Sequence, residues 1–337
     1  MAPKARFAVA EPENCFIKSE FSIFRYVQLN MSFVEKLTEL KKNVKKSSLD
    51  TYLRNIRRLR KVFHKLPVPM DAKWVTEKRM FTWYTSQPLS VRRHMSTAAT
   101  IFLQVVKKPN EEWTKLQRAS MKEFDDNRRQ RNLSDKQKKQ IPKHGFDSLK
   151  RVIKTMKKEL NHVLSKDVNN WSMTDLIRVQ DLLILSLYNN HPLRLDFATL
   201  ELKKTDGNCI YKNLKKPRGW HVQLKEYKTS RTMGLRTFKL NISNQRLLNK
   251  FIPATRLLTK HGFLLTNQSG NKMTKQVLSK RLGKITKARI GKDFSVQLIR
   301  ILFAMKHRDI LESAKAVSEK LMHSTEQSLQ YAKKSKQ

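Results

Sequence analysis

Apolar residues in the N-terminal part of the chain recur every three or four positions, which is the spacing of an amphipathic helix. Ser48 is placed to cap the first strong example, and Pro67 and Pro69 follow its end. Further helices are predicted over 77–84, from Ser90 onward, and over 110–128. The apolar positions of the first helix are Leu49, Tyr52, Leu53, Ile56, Leu59 and Phe63. The pattern therefore predicts an all-helical domain over 31–128.

Basic side chains occupy the positions between these apolar residues. A helix with one apolar and one basic face can pack on a core and still present cations to DNA phosphates. A solvated basic face is the alternative interpretation. The predicted DNA-binding residues of this domain are Arg54, Arg57, Arg58, Arg92 and Arg93.

Two stretches show no helical period. Residues 129–144 are polar and basic and end near Pro142 and Gly145, which predicts an interdomain linker. Residues 1–30 contain a few apolar positions around 21–27 and form either an arm or docking segment or a frayed tail.

The period changes inside the second predicted domain, 145–337. A helix from Met173 to about Asn189 is apolar almost all round and is expected at the centre. Shorter segments follow that are typical of strands, and the last two flank a turn with Gly234. The strands are predicted at 199–203, 209–214, 222–227 and 236–240, and later helices at 244–256, 275–287, 294–306 and 310–322, with a last helix around Tyr331. The expected fold is mainly α, with one small sheet in the second domain.

The net charge of the chain limits the class of binding partner. The 337 residues include 71 Lys and Arg against 28 Asp and Glu, a formal net charge of +43 that is spread along the whole chain. Such a surface repels itself unless a polyanion neutralises it, so nucleic acid is the first expectation; charge alone leaves RNA, a ribosomal surface or an acidic membrane open.

The longest apolar run is too short to span a bilayer. Two distant cysteines, Cys15 and Cys209, predict a reducing compartment and no zinc site. We expect a soluble, intracellular, DNA-associated protein without a membrane partner.

The composition also limits the chemistry. Between Gly207 and Lys292 the only acidic residue is Glu226, among many lysines and arginines. No acidic cluster is available to bind Mg²⁺, so cationic side chains would have to stabilise a reacting phosphate. Arginine suits this task because its planar fork matches two phosphate oxygens at once.

Four segments and one tyrosine resemble the tyrosine recombinase and integrase family in order and spacing. They are HPLRLD at 191–196, EYKTSR at 226–231, FSVQLIR at 294–300, LMHST at 321–325, and Tyr331. The family usually has His or Lys three residues before its second arginine, where this chain has Gln297. The interval from His323 to Tyr331 is also one residue shorter than the commonest family spacing.

The resemblance implies roles for these residues. Tyr331 would attack the scissile phosphorus and form a 3′-phosphotyrosyl link, while Arg194, Arg300 and His323 would bind the phosphate oxygens. Lys228 would protonate the leaving oxygen, with Lys225 or Arg231 as alternative acids. The role of Gln297 stays open, because an amide donates a hydrogen bond but does not shuttle a proton. No metal and no cofactor are implied.

The resemblance also implies an architecture. A helical, SAM-like core-binding domain and a mixed α+β catalytic domain would form a C-shaped clamp on double-stranded DNA, and a homo-tetramer would act on recombining DNA. The helix over 275–287 would enter a groove with Lys275, Lys280 and Arg281. Site-specific recombination or integration, as in viruses and mobile elements, is the expected function. A type IB topoisomerase and a non-catalytic DNA-binding protein derived from a recombinase are the alternatives.

Overall fold

The computed structural model describes residues 31–130 and 133–320 of the chain. The chain forms two compact units, Met1–Asn132 and Leu133–Gln337. Within the described residues, none of the helices combines the length and the apolar character needed to cross a membrane.

The first unit is helical throughout its described part. Its helices are α1 (Met31–Leu40), α2 (Lys46–Arg60), α3 (Lys78–Ser86), α4 (Leu89–Val105) and α5 (Glu111–Arg129), with a 3₁₀ turn at Lys73–Val75. Helix α4 packs between α2 and α5 and buries most of its length. Trp113 of α5 is fully buried, and its indole N–H donates to the carbonyl oxygen of Val75 at 2.9 Å. This bond satisfies the one polar group that the ring brings into the core.

The caps of these helices differ from the sequence prediction. Helix α2 begins two residues before Ser48, and no side chain caps it. Helix α4 begins at Leu89, directly after Pro88, so Ser90 already lies in its first turn. The fixed φ of proline favours entry into a helix, which explains the earlier start. Asn110 caps α5 by accepting a hydrogen bond from the backbone N–H of Trp113.

The predicted linker, 129–144, contains regular structure. Its middle forms α6 (Asp135–Gln140), which Ser134 and Gln137 cap reciprocally, and Ile141 packs against the core of the second unit. A capping box stabilises a short helix despite the polar sequence, because it satisfies orphan N–H groups at the first turn. The domain boundaries inferred from the sequence remain a prediction.

The second unit surrounds one buried helix. Its helices are α7 (Asp147–Glu159), α8 (Asn161–Ser165), α9 (Met173–Asn190), α10 (Ser230–Met233), α11 (Ile242–Leu258), α12 (Lys275–Ile290), α13 (Val296–Lys306) and α14 (Arg308–Lys320), and its strands are β1 (Cys209–Asn213), β2 (Gly219–Leu224) and β3 (Arg236–Lys239). Helix α9 contacts α7, α11 and α12, as its apolar circumference predicted. The strands form one antiparallel sheet in the order β1-β2-β3. The predicted fold, mainly helical with a small antiparallel sheet, is confirmed.

The strand predicted at 199–203 does not form. In the segment 199–203, Thr199 is the last residue of a 3₁₀ helix at Asp196–Thr199, and Glu201 alone forms isolated bridges, with Cys209 and with Phe263. The alternating burial around Leu200 and Leu202 resembles a strand, but a strand also requires a partner over several residues. This segment has a partner at only one position on each side.

Candidate functional site

Two of the sequence-predicted arginines meet in the second unit. Arg194 follows the end of α9, and Arg300 lies on α13, yet each lies near enough to the carboxylate of Asp196 to shift its pKa. Lys275, the first residue of α12, joins them, with its Nζ 3.8 Å from Oδ1 of Asp196. We call Arg194, Asp196, Lys275 and Arg300 the arginine cluster.

The electrostatics of the arginine cluster favour an anion. Burial lowers the pKa of Arg300, the charge of Arg194 lowers it further, and Asp196 acts in the opposite direction. Burial raises the pKa of Asp196, and the three nearby cations offset part of that shift. Three cations face one carboxylate, so the cluster retains a positive excess that a phosphate would neutralise.

A buried tyrosine fixes the backbone at Arg194. Tyr188 of α9 is inaccessible to solvent, packs edge-on against Phe197, and donates from its hydroxyl to the carbonyl oxygen of Arg194 at 2.8 Å. Burial raises the pKa of Tyr188, so the hydroxyl stays protonated and remains a donor. The loop after α9 is thereby tied to the helix that precedes it.

Helix α12 positions the start of α13. The hydroxyl of Thr286 on α12 accepts a hydrogen bond from the backbone N–H of Phe294 at 2.9 Å. Ser295 then caps α13 by accepting from the N–H of Leu298. Since Lys275 and Thr286 belong to the same helix, α12 contributes one cation to the arginine cluster and orients the helix that carries Arg300.

Lys228 lies in the same unit, exposed in the turn between β2 and α10. A hydrogen-bonded path joins its turn to the arginine cluster. The hydroxyl of Thr199 donates to the carbonyl oxygen of Asp196 and accepts from the amide of Asn208. Asn208 also accepts from the backbone N–H groups of Lys225 and Glu226 and donates to the carbonyl oxygen of Glu226, each at 2.8 Å.

Of the three remaining catalytic candidates, the structure describes only Gln297. Gln297 is exposed in the first turn of α13, three residues before Arg300 and therefore on the same side of the helix. His323 and Tyr331 lie outside the described residues. Their roles stay predictions.

The cations predicted to bind DNA in the first unit differ in their surroundings. Arg54 and Arg58 are exposed on α2, whereas Arg57 is partly buried. Arg92 donates to both carboxylate oxygens of Glu123 at 3.0 Å, and the guanidinium of Arg93 lies 3.8 Å from the ring centre of Phe124. Burial, followed by the charges of Arg93 and Arg58, lowers the pKa of His94, so Arg58 of α2 and Arg93 of α4 both lie within electrostatic range of His94 and form one basic region.

Lys280 and Arg281, the other two candidates on α12, also differ. Lys280 is exposed. Arg281 donates two hydrogen bonds of 2.6 Å to the carboxylate oxygens of Asp181 on α9. This bidentate pair joins α12 to the central helix, which gives Arg281 a structural role; its contact with DNA remains a prediction.

Sequence reasoning missed two residues of the site, Asp196 and Asn208. Asp196 was visible two positions after Arg194, and an acid beside a predicted phosphate-binding arginine is a signal for an internal partner. Asn208 gave no signal, because an asparagine between two predicted strands is typical of a turn. Among the residues that the structure describes, no group of three His, Cys, Asp or Glu is arranged to bind a metal ion.

Two solved structures are similar to this chain in fold. One is a XerH site-specific recombinase bound to its difH substrate in a pre-cleavage complex, with a TM-score of 0.48, 14% identity, and coverage of 98% of this chain and 89% of that chain. The other is XerA recombinase, with a TM-score of 0.33, 11% identity, and coverage of 90% and 93%. Both are recombinases, the class that the sequence motifs predicted, but at these scores the likeness concerns the fold alone. No protein-family model and no curated protein sequence matches the chain.

The pair of Asp181 and Arg281 makes a stability prediction. Asp181→Asn leaves the partly buried guanidinium without its carboxylate, and we expect the free energy of unfolding of the second unit to fall by about 3 kcal/mol. Hydrogen exchange of the most protected amides of α9 measures this unit separately. The double variant Asp181→Leu with Arg281→Met removes both charges and should recover most of the loss. Equal stability of the single and double variants would contradict the structural role of the pair.

Proposed function

We propose that this chain cleaves and rejoins DNA strands as a tyrosine-type site-specific recombinase or integrase. The observation that supports this most is the arginine cluster, in which Arg194 and Arg300, separated by more than a hundred residues of sequence, lie within electrostatic range of each other with an excess of positive charge. Two arginines this close suit a shared anion such as a phosphodiester, whose non-bridging oxygens match the planar fork of arginine.

The proposed reaction needs no external energy source. The hydroxyl oxygen of Tyr331 attacks the scissile phosphorus and gives up its proton to solvent, and the bond from phosphorus to the 5′ oxygen breaks. Lys228 gives its proton to that oxygen, which leaves as a 5′-hydroxyl, while Tyr331 remains linked to the 3′ phosphate. Attack by a 5′-hydroxyl on the phosphotyrosyl link reverses both bond changes, so rejoining to the same or to another strand needs no ATP.

Each described residue contributes a separate part of the catalysis. Arg194 and Arg300 stabilise the negative charge that develops on the phosphate oxygens in the transition state. Asp196 acts on the arginines and not on the substrate, since its charge offsets their repulsion. Asn208 positions the turn that carries Lys228. His323 completes the oxygen contacts in the proposal, and Gln297 is a further donor on the same side of α13.

DNA binding in this proposal uses both units. The basic region on α2 and α4 of the first unit and Lys280 on α12 contact backbone phosphates, which position the duplex without specifying its sequence. Exchange between two duplexes requires four strand cleavages, and each copy of the chain supplies one nucleophile. We therefore propose a homo-tetramer on recombining DNA.

A nicked suicide duplex tests the covalent step. The short strand that leaves cannot return, so wild-type protein should accumulate in covalent attachment to DNA. Tyr331→Phe should abolish the attachment while DNA affinity stays within about twofold, because only one hydroxyl is lost. Wild-type protein that binds the duplex but never attaches would instead indicate a non-catalytic DNA-binding protein.

A four-way junction and supercoiled plasmid then distinguish a recombinase from a type IB topoisomerase. Resolution of the junction into recombinant duplexes supports the proposal. Relaxation of the plasmid without recombinant products favours the topoisomerase, which uses the same chemistry on one duplex.

A substitution of Arg300 tests the role of the arginine cluster. Arg300→Ala should lower the rate of covalent attachment at saturating DNA by roughly a hundredfold to a thousandfold, because one fixed donor to the transition state is lost. Arg289→Ala removes an equal charge from α12, where Arg289 pairs with Glu159, and serves as the control. Similar rates for the two variants would argue against a transition-state role for Arg300.

A modified substrate tests whether Lys228 is the acid that protonates the leaving oxygen. A substrate with sulfur in place of the leaving 5′ oxygen expels a thiolate, which needs little protonation. This substrate should restore cleavage to Lys228→Ala, since only the lost proton donor is bypassed. Lys225→Ala and Arg231→Ala are the matched comparisons, and rescue of either of them in place of Lys228→Ala would transfer the role of the acid to that residue.

A further inference from the structure

A cavity of about 420 Å³ lies beside the connection from β2 to β3. Its walls come from the segment before β1, from β2, and from α10 with the turn that follows it. Three cations line it, namely Lys204, Lys225 and Arg231, together with the hydroxyls of Thr205 and Ser230 and one carboxylate, Asp206. We call this the hairpin cavity.

The cations of the hairpin cavity are available to a ligand. Lys204, Lys225 and Arg231 are exposed, and none of them forms an ion pair with another residue in the part of the chain that the structure describes. The ring centre of Tyr211 lies 5.4 Å from Nζ of Lys204, which restricts that side chain without neutralising it. Three cations against one carboxylate leave the cavity with a positive excess.

The walls of the hairpin cavity are fixed by buried hydrogen bonds. The amide of Gln223, which is only 8% exposed, donates to the carbonyl oxygens of Thr205 and Gly207 at 2.7 and 3.2 Å. On the opposite side, the hydroxyl of Tyr227 donates to the carbonyl oxygen of Gly234 at 2.7 Å. Because the backbone is already ordered, an anion that binds here has only to order exposed side chains.

The same network links the hairpin cavity to the arginine cluster. Asn208 accepts from the N–H of Lys225, which lines the cavity, and its path through Thr199 ends at the carbonyl oxygen of Asp196. The two positively charged sites therefore belong to one hydrogen-bonded framework. A repeating polyanion is the ligand that two such sites at a fixed separation would suit.

We propose that the hairpin cavity binds a DNA backbone phosphate other than the scissile one, through Lys204, Lys225 and Arg231. This inference rests on the proposed action on DNA and deepens it. The proposal also distinguishes the three candidate acids by their position, since Lys225 and Arg231 line the hairpin cavity and Lys228 does not. The cavity is larger than a single phosphate group needs, which leaves room for the attached sugars of a strand that crosses it.

The test is the salt dependence of duplex binding by the full chain. Neutralising one phosphate contributes about 0.9 to the slope of log K against log salt, and we expect the double variant Lys204→Ala with Arg231→Ala to lose about that much. Arg151→Ala with Lys154→Ala removes the same charge from exposed positions on α7 and should leave the slope unchanged. An equal change in both variants, or an unchanged slope in the cavity variant, would overturn the proposal.

Two further measurements keep the outcome unambiguous. Lys204→Gln with Arg231→Gln removes both charges but keeps part of each aliphatic stem and a polar end, so the same reduced slope with an unchanged circular dichroism spectrum excludes a folding defect. Inorganic phosphate, titrated calorimetrically without DNA, is the second probe. Saturable phosphate binding that the cavity variant loses while its DNA slope is unchanged would assign the cavity to a free anion and overturn the proposal.

Failure of this inference is distinct from failure of the proposed reaction. The slope is an equilibrium binding measurement, and it does not require the covalent link. Covalent attachment by wild-type protein together with an unchanged slope in the cavity variant would reject only the hairpin cavity. A reduced slope without any covalent attachment would reject only the strand-transfer chemistry.

Discussion

Like charges repel, and the candidate site nevertheless places Arg194, Arg300 and Lys275 around one buried carboxylate. Asp196 reduces that repulsion without cancelling it, because three cations face a single acid. Partial burial and the charge of Arg194 together lower the pKa of Arg300, so its charged form is maintained at a cost in free energy. An arrangement of this kind is most stable when a further anion is bound, and the proposed function follows from that constraint.

Rigidity around the cluster comes from neutral groups. The hydroxyl of Tyr188 and the amide of Asn208 each bind backbone atoms, one at the arginine loop and one at the turn that bears Lys228. Neither side chain carries charge, so both can be buried at little cost once their hydrogen bonds are formed. Arg194 is partly exposed and Lys228 is exposed, so an ordered backbone presents both cations to solvent.

The distribution of cations also depends on pairing. Arg281 and Arg92 each bind a carboxylate with two hydrogen bonds, and both stabilise contacts between helices. The lysines and arginine of the hairpin cavity have no such partner within the described ranges. In a chain with a net charge of +43, the presence or absence of a carboxylate partner distinguishes structural cations from those available to a polyanion.

The sequence determined the features that depend on neighbouring residues. The period of apolar positions located α9 to within one residue of its end, and the order of the motifs made Arg194 and Arg300 candidates for the same site. Interactions between distant residues required the tertiary structure. Arg281 and its partner Asp181 are a hundred residues apart, Asn208 looked like a turn residue, and the segment 199–203 has the alternation of a strand without a partner of sufficient length. Periodicity is a local property of the chain, whereas the partner of a buried charge or amide is decided by packing between distant segments.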